Sequence, residues 1–220
     1  MRSLTLLDES GAMPSLQALS EQDATRPVVL IGFQKQGNLG IGYLAATLMR
    51  RGHRVKVLDF EDAAEQILAT IEAEAPVVVG FSLIFQFYLP RFRALMQYLR
   101  NHGVRCHFTI GGHFPSLSHE RTLELIPEVD SVVRFEGEVT LLELVESLIY
   151  DQDWRRIDGL AYRRDGRFVS NPLRHLLDDL DVLPFPYRQY EPTAILGQRT
   201  MPILASRGCS RTCSFCSIHM

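Results

Sequence analysis

The chain has 220 residues, 46% hydrophobic and 22% charged, with a formal net charge of −3, a balance expected of one globular domain plus an appendage with enough apolar residues for a core. The weak negative charge gives no attraction for nucleic acid or an anionic membrane, and no apolar run approaches the ~18 residues of a membrane-crossing helix. Residues 1–27 lack the apolar stretch of a signal peptide, and four cysteines, three of them clustered, do not read as a disulfide framework, so a reducing cytoplasm is the expected setting.

After an N-terminal extension (1–26), strand and helix patterns alternate. Val28-Val29-Leu30-Ile31-Gly32-Phe33 follows Pro27 as a short apolar run, a buried strand. Asn38 to Arg51 places Ile41, Leu44, Ala45 and Leu48 at helical spacing, with Gly52 as the stop. A second strand is predicted over Arg54 to Phe60 and a second helix over Ala63 to Ala75, closed by Pro76. Val77 to Phe81 is the third strand, Pro90 to Asn101 the next helix, and Val104 to Ile110 the fourth strand. A short helix over Ser118 to Ile126, a fifth strand over Ser131 to Phe135 and a helix over Val139 to Tyr150 follow.

Strands separated by helices of this length predict an α/β fold, a doubly wound parallel five-stranded sheet of flavodoxin or Rossmann type over residues 27–150. Ligands on such sheets bind outside the carboxyl ends of the strands, near the switch point. Those ends carry Phe33-Gln34-Lys35, Ser82-Leu83-Ile84, Gly111-Gly112-His113 and Glu136-Gly137-Glu138. Gly37-Asn38-Leu39-Gly40-Ile41-Gly42, at the first strand-to-helix junction, suits either an anion on the helix N-terminus or plain tight turning. Gly111 and Gly112 allow something flat to approach the backbone. Ser82 is placed to hydrogen-bond a ligand or to cap its loop, and Glu136 to accept hydrogen bonds or to start a helix. Cys106 falls mid-strand, an inert core thiol, and His113 reads as structural or solvated.

After residue 150 the texture changes. Residues 151–198 hold a hairpin over 159–169, turning at Asp165-Gly166, and a linker over 171–190 with Pro172, Pro184 and Pro186 and room for one helical turn. Met201 to Ser206 reads as a new strand running into Arg207-Gly208-Cys209-Ser210-Arg211-Thr212-Cys213-Ser214-Phe215-Cys216. Cys209, Cys213 and Cys216 form C-x₃-C-x₂-C, unlike the paired units of a closed zinc site or the C-x₂-C-x₂-C run of bacterial ferredoxins. Three thiolates so spaced can hold three irons of a [4Fe–4S] cube and leave the fourth iron open to a chelating ligand.

This spacing resembles the signature of the radical S-adenosylmethionine enzymes, whose open iron binds the amino and carboxylate groups of that cofactor. The wound domain with Asn38-Leu39-Gly40-Ile41-Gly42-Tyr43-Leu44-Ala45, Gly111-Gly112-His113-Phe114-Pro115 and Glu136-Gly137-Glu138, followed by Leu183-Pro184-Phe185-Pro186 and Ser206-Arg207-Gly208-Cys209, is similar over residues 27–220 to the cobalamin-dependent branch of that family. The resemblance implies cobalamin, S-adenosylmethionine and a [4Fe–4S] cluster as cofactors, and a reducing partner such as flavodoxin or ferredoxin. It also implies methylation of an unactivated carbon of a small molecule or peptide through a 5′-deoxyadenosyl radical and methylcobalamin. Cobalamin contacts are then expected at Leu39, Gly40, Ser82, Gly111, Gly112 and Glu136, and metal ligation at Cys209, Cys213 and Cys216.

The sequence departs from that family twice. Gly32-Phe33-Gln34-Lys35-Gln36-Gly37 lacks the Asp and His of the D-x-H-x-x-G motif found in many cobalamin domains, so a protein imidazole on cobalt is not expected. Loops such as Phe33-Gln34 and Phe85-Gln86-Phe87 are then left to face the metal. The family's catalytic barrel starts at the cysteines and needs on the order of 150–200 further residues. Residues 199–220 are therefore expected to be the start of a truncated barrel, and the chain a fragment without turnover. Two alternatives stay open: a non-catalytic cobalamin module with zinc or free thiols at the cysteines, and a cobalamin-independent radical enzyme such as a methylthiotransferase.

Overall fold

The computed structural model describes residues 26–35, 37–189 and 191–216. Five parallel strands, β1 (Val28–Gly32), β2 (Val55–Asp59), β3 (Val78–Ser82), β4 (His107–Gly111) and β5 (Ser131–Val133), alternate with helices α1 (Leu39–Arg50), α2 (Ala64–Glu74), α3 (Leu89–Asn101), α4 (His113–Leu117), α5 (His119–Leu125) and α6 (Glu138–Ile149). The strand order 2-1-3-4-5 is that of a flavodoxin-like wound sheet. Every residue of β1 is buried, as a central strand covered on both faces requires.

Alternate strand residues divide between two cores, as the period of a strand dictates. Val29, Ile31, Val79, Phe81, Phe108 and Ile110 pack with α2, α3 and α5 through Ile67, Phe92, Met96 and Leu123. Val28, Leu30, Val78 and Val133 pack with α1 and α6 through Leu48, Leu142 and Val145. Asn38 caps α1 by accepting a hydrogen bond from Ile41 N–H, and Ala75 closes α2 in the left-handed region at φ 46° before Pro76.

The hairpin after residue 150 extends this sheet. Strand β6 (Leu160–Arg164) pairs antiparallel with β5 through Val132↔Ala161, and β7 (Arg167–Ser170) pairs with β6, giving seven strands rather than five. Its turn has Asp165 at φ 50° and Gly166 at φ 75°, the mirror-image conformation that matches strand twist.

Other expectations are corrected. Cys106 precedes β4 instead of lying within it, because pairing with β3 begins only at Val78↔His107. The carbonyls of Val104 and Cys106 turn to the Arg100 guanidinium at 3.1 and 2.9 Å. The segment expected as one helix over 118–126 is two helices, and α4 holds Pro115 in its first turn, where no N–H is needed. A 3₁₀ turn (Gln86–Tyr88) precedes α3, and another (Leu180–Val182) is the helical turn of the linker. The described part of 201–206 has no strand; a small hairpin, β8 (Thr193–Ile195) with β9 (Gln198–Thr200), forms just before it. An extended segment becomes a strand only with a ladder partner, and among the described residues 201–206 has none; only Arg188 Nη2 donates to it, at the Pro202 carbonyl, 2.8 Å. Among the described residues no helix is long and apolar enough to cross a membrane.

Candidate functional site

Helix α1 leaves β1 toward one face of the sheet and α3 leaves β3 toward the other, so the carboxyl ends of β1 and β3 border the switch-point crevice. The two sides are tied by Asn38, whose Nδ2 donates to Ser82 Oγ at 3.3 Å while its Oδ1 caps α1. A Cβ on Gly32 would come within 3.1–3.2 Å of Ile41, Ser82 and Asn38, so the backbone lies close beneath that bridge. Phe33 is buried among Phe60, Tyr88, Phe85 and Phe92, with ring centroids 4.7–6.1 Å away. The Lys35 N–H donates to Asp59 Oδ2 at 2.9 Å and anchors the loop to the end of β2. Gln34 is buried, and its side-chain nitrogen has no hydrogen-bond partner, a deficit of about 1–3 kcal/mol for a buried donor.

All six predicted cofactor residues lie at this edge, on the junctions after β1, β3, β4 and β5. Leu39 and Gly40 form the first turn of α1; Gly40 is exposed, and a Cβ there would meet only Asn38 Oδ1 at 3.4 Å. Ser82 pairs in register with Gly111. Gly112, at φ 115°, must be glycine for a reason within the chain, since a Cβ would fall 2.1 Å from the Leu83 carbonyl oxygen. Glu136 accepts from the Leu177 N–H at 3.0 Å and from Arg207 Nη1 at 3.4 Å. Its carboxylate therefore already has partners from the C-terminal segment.

Apolar side chains are exposed on the junctions after β3, β4 and β5. Phe85, Phe87, Leu117 and Phe135 are 44%, 73%, 39% and 40% exposed. A groove of about 630 Å³ runs between the β3–α3 junction and α4–α5, lined by Phe85, Phe87, Pro90 and Phe114 among others. Phenyl rings left in water along an apolar groove suit a large ligand with an apolar face. The donors at this edge are the Gln34 and Asn38 amides and the Ser82 hydroxyl, with an imidazole, His113, exposed at the start of α4.

Cys209 and Cys213 are exposed and Cys216 is half-buried, all three as free thiols. The residues are right in kind for an iron–sulfur cluster, yet among the described residues no three metal-ligating side chains are gathered around one point. Cys106 is also free, at the opposite edge of the sheet, with burial pushing its thiol up to about 11. It is a half-buried thiol packed against the edge of the core, with Arg100 and Asp130 nearby, rather than the fully internal thiol expected.

Asn38 and Arg207 belong to this edge but were absent from the predicted contact set, whereas Gln34 was expected there through the Phe33-Gln34 loop. An Asn directly before an apolar-periodic run is an N-cap signal that marks the first of them. Gly42 has a different use from the glycines of a phosphate loop. A Cβ there would lie 2.6 Å from the Tyr187 carbonyl oxygen, so it serves close passage of the linker.

The profile of the B12 binding domain matches residues 29–145. An uncharacterized methyltransferase of Pyrococcus horikoshii is 30% identical over 185 residues, covering 81% of this chain and 40% of that protein. The anaerobic magnesium-protoporphyrin IX monomethyl ester cyclase of a Synechocystis species is 28% identical over 186 residues, covering 81% and 37%. The chain thus spans about two fifths of the length of these relatives. Among solved structures, the cobalamin-dependent S-adenosylmethionine radical enzyme OxsB, with aqua-cobalamin and S-adenosylmethionine bound, superposes with a TM-score of 0.63 at 21% identity, covering 76% of this chain and 24% of that one.

Proposed function

The chain belongs to the B12-binding domain family, and we propose that it holds cobalamin at the carboxyl edge of β1, β3, β4 and β5 as the N-terminal part of a radical S-adenosylmethionine methyltransferase. The carrying observation is the convergence at that edge of the Asn38–Ser82 bridge, the Gln34 amide and the exposed ring of Phe87. In this reading Phe85 and Phe87 cover the apolar macrocycle, and Ser82 and Gln34 bind amide groups on its rim. Leu39, Gly40, Gly111, Gly112 and Glu136 border it through the backbone and the first turns of the helices. Cys209, Cys213 and Cys216 would ligate a [4Fe–4S] cluster with S-adenosylmethionine on its open iron. Together these cofactors would supply a methyl group and the radical that activates an unreactive carbon. A small molecule or peptide is the substrate class, and a flavodoxin or ferredoxin the reductant.

Cobalamin binding is tested by equilibrium dialysis of the folded chain against hydroxocobalamin. Phe87→Asp, at a side chain 73% exposed, should leave the melting temperature unchanged and weaken retention about tenfold or more. Failure of well-folded wild-type protein to retain the corrinoid overturns the reading. Anaerobic reconstitution with iron and sulfide should produce a broad band at about 400 nm that the triple Cys→Ala variant lacks. The exposure of Cys209 and Cys213 favours one second reading, a cobalamin-binding module with free thiols, for which that band is absent. With those thiols open to water, the 220-residue chain alone is expected to form no more than one equivalent of 5′-deoxyadenosine from S-adenosylmethionine.

A further inference from the structure

The segment that carries the cysteines is largely exposed: Ile203 is 76% and Phe215 91% accessible. One residue in it behaves differently. The Arg207 side chain is 20% exposed, and its guanidinium sits between the carboxylates of Glu138, at 2.5 Å, and Glu136, at 3.4 Å. It also lies over the Tyr43 ring of α1, 5.2 Å from the centroid. Glu138 is 5% exposed and is the first residue of α6, where the N–H groups of the first turn favour a negative charge. A carboxylate buried to this degree requires a cationic partner, and the partner comes from 69 positions away, two residues before Cys209.

The approach to this contact is also docked. Tyr187 N–H donates to the Gly42 carbonyl at 2.9 Å, and Pro186 is buried. Arg50 Nη1 donates to the Val182 carbonyl at 2.7 Å. The linker thus runs along α1 as a strap before the chain returns to the sheet edge.

We propose that Arg207 is a positioning residue, a latch that seats the cysteine loop on Glu136 and Glu138 at the carboxyl edge of β5, with the Gly42–Tyr187 pairing as a second anchor along α1. The proposal rests on the reading that this edge is the corrinoid side of the sheet, and it deepens that reading. Glu136 and Glu138, read from the sequence as ligand acceptors or a helix start, become the seat of the loop. The three thiols are thereby held beside the edge that Gly112 and Ser82 border, before any cluster forms.

Limited trypsin digestion of the cofactor-free chain tests the latch, because Arg207 and the exposed Arg211 lie on the same segment. In wild-type protein the bond after Arg207 should be cut at least about tenfold more slowly than the bond after Arg211, since local opening must precede cleavage. Glu138→Gln should bring the two rates within about twofold. Glu136→Gln, at the longer contact, should have a smaller effect, and it serves as the second variant should Glu138→Gln not fold. Arg207→Lys keeps the charge and a trypsin site, and should retain most of the protection. Equal cutting after Arg207 and Arg211 in folded wild-type protein overturns the latch, as does full protection in Glu138→Gln. Dialysis of the same samples against hydroxocobalamin separates this failure from that of the proposed function. A chain that retains cobalamin but cuts evenly has no latch; one that is protected but retains no cobalamin has a latch with another purpose.

Discussion

The parallel sheet and the segment beyond residue 171 are ordered by different means. In the sheet, order comes from burial: Val28, Val29 and Ile31 are at 0% exposure, and the helices on both faces bury whole stripes of side chains. In the C-terminal segment, Phe185, Leu196 and Phe215 are 89%, 98% and 91% exposed, and position is set by single contacts, Tyr187 on Gly42 and Arg207 on two carboxylates. Apolar burial is non-directional and sums over many atoms, so it makes a rigid sheet whose loops hold fixed places. Point contacts, with only Pro186 and Tyr187 packed toward the sheet's own core, give location with little burial.

The largest test of this difference compares two phenylalanines. Phe92 is fully buried and stacks on Phe60 with centroids 3.9 Å apart and planes 4° from parallel. Phe92→Ala should lower stability by about 3–5 kcal/mol, whereas Phe185→Ala should change it by less than about 0.5 kcal/mol; urea melts read both. Equal losses would mean that the C-terminal segment has a core of its own.

A pair of glycines gives a somewhat smaller contrast. Gly112→Ala drives a methyl into the Leu83 carbonyl at 2.1 Å and strains φ 115°, for a loss of about 3 kcal/mol. Gly208→Ala, at φ 77° with nothing within 4 Å of the added methyl, should lose about 1 kcal/mol or less by the same melt.

The smallest effect near neutral pH comes from His107, which stands against Ser131 Oγ at 2.8 Å and edge-on to Trp154. Burial is the main cause that lowers its pKa to about 4. The unfolded chain, with an ordinary value of about 6.5, binds the proton first as pH falls, so stability drops between about pH 6.5 and 4. The loss is about 1 kcal/mol at pH 5.5 and about 3 kcal/mol once both states are protonated. His107→Gln should flatten that part of the pH–stability curve, as read by urea melts across that pH range.

Much of this was legible in the residues themselves. Apolar runs bounded by Pro27 and Pro76, helical spacing from Ile41 to Leu48, and the Asp165-Gly166 turn each act within a few positions. They determined five parallel strands, most of the helices between them, which junctions share the carboxyl edge of the sheet, and the C-x₃-C-x₂-C spacing. Tertiary structure alone decided that β6 pairs antiparallel with β5, that Gly42 makes way for Tyr187, that Gly112 clears Leu83, and that Arg207 finds Glu138. Local periodicity records which side of an element faces a core, because that preference is felt residue by residue. The partner across 69 positions depends on how every intervening element has packed, and no local pattern records that.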